Sequence, residues 1–559
     1  MEHVAGGALD HDRLLSVRLT VCFHCAGSRR FPRPVASVTM SAPQIPAPAS
    51  ASLVILHGPG VTIDDVVGVA RHGAPVELSG EAIVRMSKAR AIVERLAEGD
   101  PVYGISTGFG ALANVSIPPA RRADLQVALV RSHAAGMGPL VEREVVRGLA
   151  FLRARTLALG ASGARPATAQ GLVDLLNHDI APHVHEHGSL GASGDLAPLA
   201  HVALALIGEG TVDHRGTAKA AATALAEAGL QPLVLAEKEG LALTNGTDGI
   251  LGMLCLAVAD ARSLLTQADI ACALTVEALL ATDRPFAADL QALRPHPGQA
   301  ASAGNLCALL AGSAIVASHR EGDSRVQDAY SVRCTPQVHG AARDTLAFVI
   351  GVVERELASA IDNPMVLPDG RVESCGNFHG APLGYAADFL AIALTDVSSI
   401  SERRMDRMLD RTRSHGLSPF LADDPGVDSG MMIAHYTSAA MLSENKRLAH
   451  PASIDSAPTS GMQEDHVSMA WGAARKLRLI IDNVRRILAV ECLIAARGVD
   501  ARAPLTPAPG TGAAHTVIRN AVEGIGPDRY LAPELAMGEE LVRSGAILDA
   551  VIAVVGPLA

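Results

Sequence analysis

A nearly continuous apolar run from Ile250 to Leu280 constrains the fold of this 559-residue chain more than any other feature. A run of this length predicts a long helix that is buried on most of its sides. Residues 386–400 and 477–488 place apolar side chains at steps of three and four, which is the spacing of a helix with one buried face. Gly498 stands where a helix C-cap glycine would follow the second segment. Strand signals are few and confined to short pieces such as residues 52–56 and the PDGRV turn at 368–372. The sequence therefore predicts a mainly α protein with a core bundle of long helices and a smaller mixed N-terminal domain.

Charge and composition exclude several classes of protein. The chain has 47 Lys and Arg against 58 Asp and Glu, a formal net charge of −11, whereas nucleic-acid binding needs a concentrated excess of basic residues. No window approaches the roughly 20 uninterrupted apolar residues of a membrane-spanning helix, so no membrane partner is expected. Six of the eight cysteines are scattered without a repeated spacing. A disulfide framework is therefore not predicted, and a reducing, cytoplasmic location fits better.

The N-terminal stretch differs from the rest of the chain. Residues 1–39 mix His, Arg and Cys without periodicity, and Met40 opens a linker rich in Pro, Ala and Ser. The CxxC of Cys22 and Cys25 has no second Cys or His pair at zinc-site spacing and no βαβ pattern around it, so no metal or redox site is predicted there. We interpret this stretch as a disordered extension, or as translation from a start upstream of Met40. The predicted domains are the extension and linker (1–50), an N-terminal domain (51–249), and a central bundle with a C-terminal helical region (250–559).

Six glycine-rich segments lie between the helical patterns. Helical proteins usually connect their helices by short polar turns, so segments rich in Gly, Asn, Gln and Tyr indicate a site assembled at helix ends. The segments are YGISTGFGA from Tyr103, GSLGASGD from Gly188, LTNGTDG from Leu243, QDAYSVRCTPQ from Gln327, CGNFHG from Cys375 and SGMQEDHVSM from Ser460.

The segment around Ser193 allows three chemical interpretations. It resembles a nucleophile elbow, but Asp195 stands where GxSxG needs its second glycine, and no strand pattern precedes it. Glycines before a helix could cradle a phosphate, but the GK[ST] ending of a P-loop is absent. The third interpretation is cyclisation of the Ala-Ser-Gly backbone. The Gly194 nitrogen attacks the Ala192 carbonyl carbon, and loss of water closes an imidazolone ring. Elimination of the Ser193 hydroxyl as a second water then leaves an exocyclic methylene on that ring. The tripeptide alone does not decide between them, since residues 161–163 are also Ala-Ser-Gly.

The motifs around this tripeptide resemble those of the aromatic amino acid ammonia-lyase family, which includes histidine, phenylalanine and tyrosine enzymes. GSLGASGDLAPLAH at 188–201 is similar to the segment from which the family forms its prosthetic group, and YGISTGFG at 103–110 to the family's tyrosine loop. NGTDG at 245–249 resembles the asparagine loop, and QDAYSVRCTPQ at 327–337 the tyrosine/arginine segment. The resemblance runs from about residue 55 to the C-terminal end. It implies that Ala192-Ser193-Gly194 forms a 4-methylidene-imidazol-5-one autocatalytically, without an external cofactor.

Two positions favour histidine as the substrate. The Ser132-His133 pair and Glu464 resemble the histidine enzymes, whereas phenylalanine and tyrosine enzymes usually carry Phe-Leu or His-Leu and an NQD-type sequence there. An imidazole presents a donor and an acceptor, or two donors when it is protonated, and His133 and Glu464 can address both edges. A phenyl ring would leave these buried groups unpaired at about 1–3 kcal/mol each. The implied reaction is the elimination of ammonia from L-histidine to give urocanate, with tyrosine as the next candidate substrate.

The resemblance also implies which residues move protons. Tyr103 and Tyr330 are the acid/base candidates near the substrate Cα–Cβ bond, and Glu464 is a rival base. An unperturbed tyrosine titrates near pH 10, so a tyrosine base requires a site that stabilises the phenolate. The sequence does not assign the base among the three.

Other residues are implied to bind the substrate or the prosthetic group. Arg333 would clamp the substrate carboxylate, because a guanidinium matches its two oxygens. Asn245 would hydrogen-bond the imidazolone oxygen, and Gln327 and Phe378 would shape the pocket, although a plain core role is also open for Phe378.

The resemblance implies a homotetramer in which three subunits share each active site. A phenylalanine or tyrosine lyase, a 2,3-aminomutase on the same scaffold and a non-catalytic structural protein are the alternatives. The alternating histidines of HVHEH at 183–187 could bind a metal from one face of a strand. Because the run leads directly into the Ala-Ser-Gly segment, we interpret it as a variant of a family segment and predict no metal site.

Overall fold

A computed structural model of the chain describes residues 52–97, 104–105, 107–108, 115–323 and 325–559. These described residues belong to one compact unit. The predictions for the N-terminal extension and for Tyr103 therefore lie outside the described residues.

Helices make up most of the described chain. They are α1 (Ile63–His72), α2 (Gly80–Ala97), α3 (Arg122–His133), α4 (Arg143–Ala158), α5 (Pro166–Asn177), α6 (Leu196–Leu206), α7 (Ala221–Glu227), α8 (Glu239–Thr244), α9 (Asp248–Ala278), α10 (Ala288–Ala292), α11 (Pro297–Leu310), α12 (Ala314–Ala317), α13 (Tyr330–Arg333), α14 (Thr335–Ala358), α15 (Ala381–Leu409), α16 (Met432–Leu448), α17 (Ala470–Asp500), α18 (Pro509–Ala521), α19 (Ala532–Arg543) and α20 (Ala546–Val555). The prediction of a mainly α protein is confirmed.

The core is a bundle of four long helices. Helix α9 packs against α14, α15 and α17, and α15 packs along α17. The apolar run of α9 is buried almost throughout, as its composition predicts. Helices α9 and α15 are long and apolar enough to cross a membrane by length and composition, but most of their apolar side chains are buried inside the protein. Their apolar composition is therefore explained by their position in the core of the bundle.

Short strands accompany the helices, mostly before α9. They are β1 (Val54–Leu56), β2 (Val76–Leu78), β3 (Met137–Leu140), β4 (Ile180–Pro182), β5 (His185–His187), β6 (Thr211–His214), β7 (Thr217–Ala220), β8 (Met365–Val366) and β9 (Val372–Glu373). Strands β1 and β2 pair in parallel, whereas the pairs β3–β5 and β8–β9 and the three-stranded sheet β4–β6–β7 are antiparallel. The mixed region thus precedes the bundle in sequence. The division at residues 249 and 250 stays a prediction.

The predicted helix end at Gly498 is wrong. Helix α17 continues through Gly498 to Asp500, and its C-cap is Ala501. A Cβ on Gly498 would lie only 2.6 Å from the Cβ of Ala278. The glycine therefore serves the close approach of α17 to the end of α9.

Candidate active site

The Ala-Ser-Gly segment at 192–194 lies in a loop that enters α6 and is fixed by distant parts of the chain. The Met469 amide donates to the Leu190 carbonyl at 2.7 Å. The Gly191 carbonyl accepts from the Gly380 amide at 3.1 Å and from the Ser468 hydroxyl at 2.8 Å. The residues before the tripeptide are thus held by the segment that follows Glu464 and by the loop that contains Phe378.

Cyclisation would join two backbone groups of the tripeptide, the Ala192 carbonyl and the Gly194 amide. Within the described part of the chain, neither the Ala192 carbonyl nor the Gly194 amide forms a hydrogen bond. Gly194 has φ +72°, and a Cβ there would collide with the carbonyl of Gly246. The Asp195 amide donates to that same carbonyl at 2.6 Å. Glycine is therefore required at position 194 both for its backbone conformation and for contact with the asparagine loop.

The second Ala-Ser-Gly, at 161–163, shares the backbone conformation but not the environment. Gly163 has φ +71°, yet the Ala161 carbonyl accepts a hydrogen bond from the Val366 amide at 2.8 Å. Ser162 is buried. The Ala161 carbonyl is thus tied to β8, whereas its counterpart at Ala192 forms no hydrogen bond with the described residues.

Asp195 joins the loop to the start of α9, a role that sequence reasoning missed. Its buried carboxylate accepts from the amides of Gly249 and Ile250 at 2.8 and 2.9 Å, and the Ser189 hydroxyl lies 3.1 Å from its other oxygen. Burial raises the pKa of the Asp195 carboxyl to about 7, although these hydrogen bonds act in the opposite direction. The bonds stabilise the N-terminus of the central helix.

Glu464 contacts the serine of the tripeptide. Its Oε1 lies 3.3 Å from Ser193 Oγ, and its Oε2 accepts from the Thr459 hydroxyl at 3.0 Å. Residues 459 and 464 also pair through their backbones. Both Ser193 and Glu464 are half-buried. The carboxylate is thus oriented by its own turn toward the predicted electrophile.

His133 is the last residue of α3. Its Nδ1 lies 2.9 Å from the Leu129 carbonyl one turn earlier, a contact that requires the proton on Nδ1 and leaves Nε2 as an acceptor in the neutral ring. Burial lowers the pKa of His133, and the negative charge of Glu464 opposes this effect. The ring is therefore favoured in its neutral form close to a carboxylate.

Asn245 lies beneath the loop in a buried polar network that the sequence did not predict. Its amide nitrogen donates to the Asn363 carbonyl at 3.0 Å and lies 3.3 Å from the Asp362 carboxylate. The carboxylate of Asp362 forms an ion pair with Lys238 at 2.7 Å, and both side chains are fully buried. Arg153 donates to the Asn245 carbonyl at 2.8 Å. Burying a lysine is tolerable only with such a partner, so the pair fixes the asparagine loop.

Phe378 is half-buried in the loop between β9 and α15. The next residue, His379, stacks on His466 with ring centroids 5.8 Å apart and an interplanar angle of 9°. This stacking joins the loop of Phe378 to the segment of Glu464.

Gln327, Tyr330 and Arg333 form a separate group. They line a cavity of about 360 Å³ together with Arg325, Asp328, Arg407 and His415. Arg333 Nε donates to the Asp328 carbonyl at 2.9 Å, and its guanidinium lies 4.4 Å from the centre of the Tyr330 ring. Tyr330 is 70% exposed. Among the described residues, no hydrogen bond or ion pair joins this group to Ser193, Glu464 or His133.

The histidine-rich run at 183–187 is engaged in local structure. His185 Nδ1 donates to the Gly138 carbonyl at 2.8 Å, and His187 pairs with Met137 across β3 and β5. The described residues contain no group of three or more His, Cys, Asp or Glu that could hold a metal ion.

Comparison with known proteins gives consistent results. A model of the aromatic amino acid lyase family matches residues 61–520. Histidine ammonia-lyase of Streptomyces avermitilis is 60% identical over 509 residues, which cover 90% of this chain and 99% of that protein. The crystal structure of histidine ammonia-lyase from Trypanosoma cruzi superposes with a TM-score of 0.83 at 40% identity, covering 90% of this chain and 96% of that one. Tyrosine aminomutase from Streptomyces globisporus superposes with a TM-score of 0.85 at 39% identity, covering 89% and 98%.

Proposed function

The chain belongs to the aromatic amino acid lyase family, and we propose from this premise that it eliminates ammonia from L-histidine to give urocanate, the first step of histidine breakdown. The observation that carries the assignment is the contact of 3.3 Å between Ser193 Oγ and Glu464 Oε1, a carboxylate whose negative charge also acts on the pKa of His133. A histidine ammonia-lyase that is 60% identical over nearly its whole length supports the choice of substrate.

The residues present fit a 4-methylidene-imidazol-5-one formed from Ala192, Ser193 and Gly194. Ring closure requires the Gly194 nitrogen to approach the Ala192 carbonyl carbon, and within the described residues no hydrogen bond holds either group against that movement. When formed, the group supplies an electrophilic methylene to the amino-acid substrate, and no external cofactor is needed. Residues 189–191 and Asp195 hold the two ends of the loop in place, and Asn245 is the proposed partner of the imidazolone oxygen.

Recognition of the substrate ring follows from His133 and Glu464. His133 Nε2 can accept the imidazole N–H, because Nδ1 already donates to the Leu129 carbonyl. Glu464 can accept the second N–H of a protonated ring, or take part in proton transfer. A phenyl ring offers no N–H to either group, which forfeits a substrate hydrogen bond at each at a cost of about 1–3 kcal/mol. Histidine is therefore preferred over phenylalanine.

The remaining roles extend this proposal. Arg333 clamps the substrate carboxylate, since its Nε is held by the Asp328 carbonyl while its two Nη groups can face two oxygens. Tyr103, Tyr330 and Glu464 remain the three candidates for removing the β-proton. Gln327 and Phe378 shape the pocket.

We propose a homotetramer in which three subunits share each site. The exposure of Tyr330 supports this arrangement, as does the lack, among the described residues, of any hydrogen bond or ion pair between its group and Ser193. Helices α14 and α15 also expose Phe348, Phe389 and Ile392 by about half, which suits contact with other copies.

The test of shared sites co-expresses two inactive variants, Ser193→Ala and Arg333→Ala, in the same cells. Mixed tetramers should regain activity, because some sites then combine an intact serine with an intact arginine; no recovery, with mixed tetramers verified by mass, would contradict shared sites.

We also propose a cytoplasmic location, which the scattered cysteines support, and retain the domain division at residues 249 and 250, close to the start of α9.

A 2,3-aminomutase is the second candidate, because tyrosine aminomutase shares the fold at 39% identity. Purified protein incubated separately with histidine, phenylalanine and tyrosine should convert histidine to urocanate and release ammonia. A β-amino acid as the main product would identify a mutase, and turnover of tyrosine alone would overturn the assignment of histidine as the substrate.

Ser193→Ala should lose activity while remaining folded, and the parent should be lighter than its encoded mass by two water molecules. An active parent at its full encoded mass would refute the proposal that the prosthetic group forms from these three residues.

A further inference from the structure

A single imidazole joins the end of α3 to the helix that follows the electrophile. The Gly136 amide donates to His201 Nε2 at 3.1 Å. Helix α3 ends at His133, three residues before Gly136, while α6 begins two residues after Gly194 and carries His201. The contact therefore connects the ring-binding residue to the segment that supplies the electrophile, across 65 residues of sequence.

His185 supports this contact from β5. Its Nδ1 donates to the Gly138 carbonyl at 2.8 Å, and its ring lies edge-on to that of His201 with centroids 5.4 Å apart. A Cβ on Gly136 would lie 3.0 Å from His201 Nε2 and 3.1 Å from the Cβ of His185. The chain that leaves α3 is thus fitted closely against both rings.

The hydrogen bonds define the protonation of the two rings. An Nε2 that accepts from an amide carries no proton, so His201 is neutral and protonated on Nδ1. Burial lowers the pKa of His201, and neighbouring His185 acts in the same direction. Because His201 Nε2 and His185 Nδ1 both contact backbone groups, these two nitrogens are not available to a metal ion.

We infer that His201 is a positioning residue, which holds His133 at a fixed place relative to Ser193 and thereby sets the affinity for the substrate imidazole. His201 touches neither substrate nor electrophile; it acts through the turn at residues 134–138. The Ala135 amide donates to the His133 carbonyl at 2.8 Å, so a shift of Gly136 passes directly to the last turn of α3. The inference rests on the proposed function in one respect, which is that His133 binds the substrate ring.

The test compares His201→Leu with His201→Gln, because glutamine retains an acceptor and leucine does not. His201→Leu should raise KM for histidine roughly tenfold, the effect of leaving a partly buried amide unpaired, with a smaller change in kcat. His201→Gln should keep most of the parent affinity. The loss of two water molecules from the encoded mass should persist in both variants. His178→Leu, at the end of α5, is the matched control and should leave KM unchanged.

A double-mutant cycle separates positioning from general stability. In a His133→Leu background, His201→Leu should cause no further rise in KM, since the residue through which it acts is absent. An unchanged KM in folded His201→Leu, or the same rise in both backgrounds, would overturn the inference. If His201→Leu does not fold, Gly136→Ala is used, because its Cβ would crowd His201 Nε2 from the other side. A parent that does not turn over histidine would instead refute the proposed function.

Discussion

Gly194→Ala is the sharpest test of why this tripeptide is suited to become an electrophile. A Cβ at position 194 would overlap the carbonyl of Gly246 and lie 2.9 Å from its Cα. The left-handed backbone at φ +72° costs alanine about 1–2 kcal/mol. Because the obstacle is backbone, relief requires the two loops to separate by an amount on the order of 1 Å, and a displacement of this size can cost about 10²-fold in rate.

Gly163→Ala is the matched control, since it lies in the same tripeptide sequence with φ +71°. Its Cβ would collide with Val93 Cγ2, a side-chain atom, at an overpacking cost of about 1–3 kcal/mol. Together with the backbone cost of about 1–2 kcal/mol, the unfolding free energy should fall by about 2–5 kcal/mol. The prosthetic group should nevertheless form, because residues 190–195 are unaffected.

The assay is the intact mass of each purified variant, read with its denaturation curve and its turnover of histidine. Gly194→Ala should have its full encoded mass and a turnover reduced by at least roughly 10²-fold. Gly163→Ala should be lighter than encoded by two water molecules and should keep its turnover at temperatures where it is folded. A two-water deficit in Gly194→Ala, or its loss in folded Gly163→Ala, would refute the reasoning.

Three further predictions follow from the same structure. Glu464→Gln should reduce histidine turnover by roughly 10²-fold or more, the scale of losing an acid–base group, and its effect should be non-additive with that of His133→Leu in kinetic measurements, because both residues address one ring. Burial lowers the pKa of His133, so near pH 6.5 the folded state binds fewer protons than the unfolded chain. The unfolding free energy should therefore decline as the pH falls through this range. Denaturant titrations at several pH values should show a shallower decline in His133→Leu than in the parent. A chain that begins at Met40 should match the full chain in melting temperature and turnover, and a large loss in either would contradict the view of residues 1–39 as a dispensable extension.

The long helices could be predicted because their burial is a property of local sequence. The apolar steps of α15 and α17 and the apolar run of α9 each specify a buried face without reference to other segments. Gly498 shows the limit of such patterns. The role of this glycine depends on Ala278 of a different helix. In the sequence alone, a glycine that permits close helix packing therefore looks the same as one that ends a helix.

The supports of the site could not be predicted, because each one joins segments that are distant in sequence. Lys238 and Asp362 are separated by 124 residues, and neither belongs to a glycine-rich segment. Asp195 lies within the recognised motif, but its bonds to Gly249 and Ile250 follow only from the approach of α6 to α9. Sequence patterns therefore identify the residues that resemble a catalytic set better than the residues that hold that set in place.

The two Ala-Ser-Gly tripeptides show why chemistry at such a segment is a property of the fold. Their glycines have nearly the same φ, so local conformation does not distinguish them. The Ala161 carbonyl accepts from the Val366 amide, whereas among the described residues the bonds around Ala192 fall on residues 190, 191 and 195 and none holds the Ala192 carbonyl or the Gly194 amide. The bond to Val366 ties the Ala161 carbonyl to β8, so the movement that would bring its carbon to the Gly163 nitrogen has to strain or break a bond of about 0.5–1.5 kcal/mol, while the fixed flanks at 190, 191 and 195 reduce the entropy that ring closure must remove. Selectivity between identical tripeptides is then set by which backbone groups the surrounding loops bind.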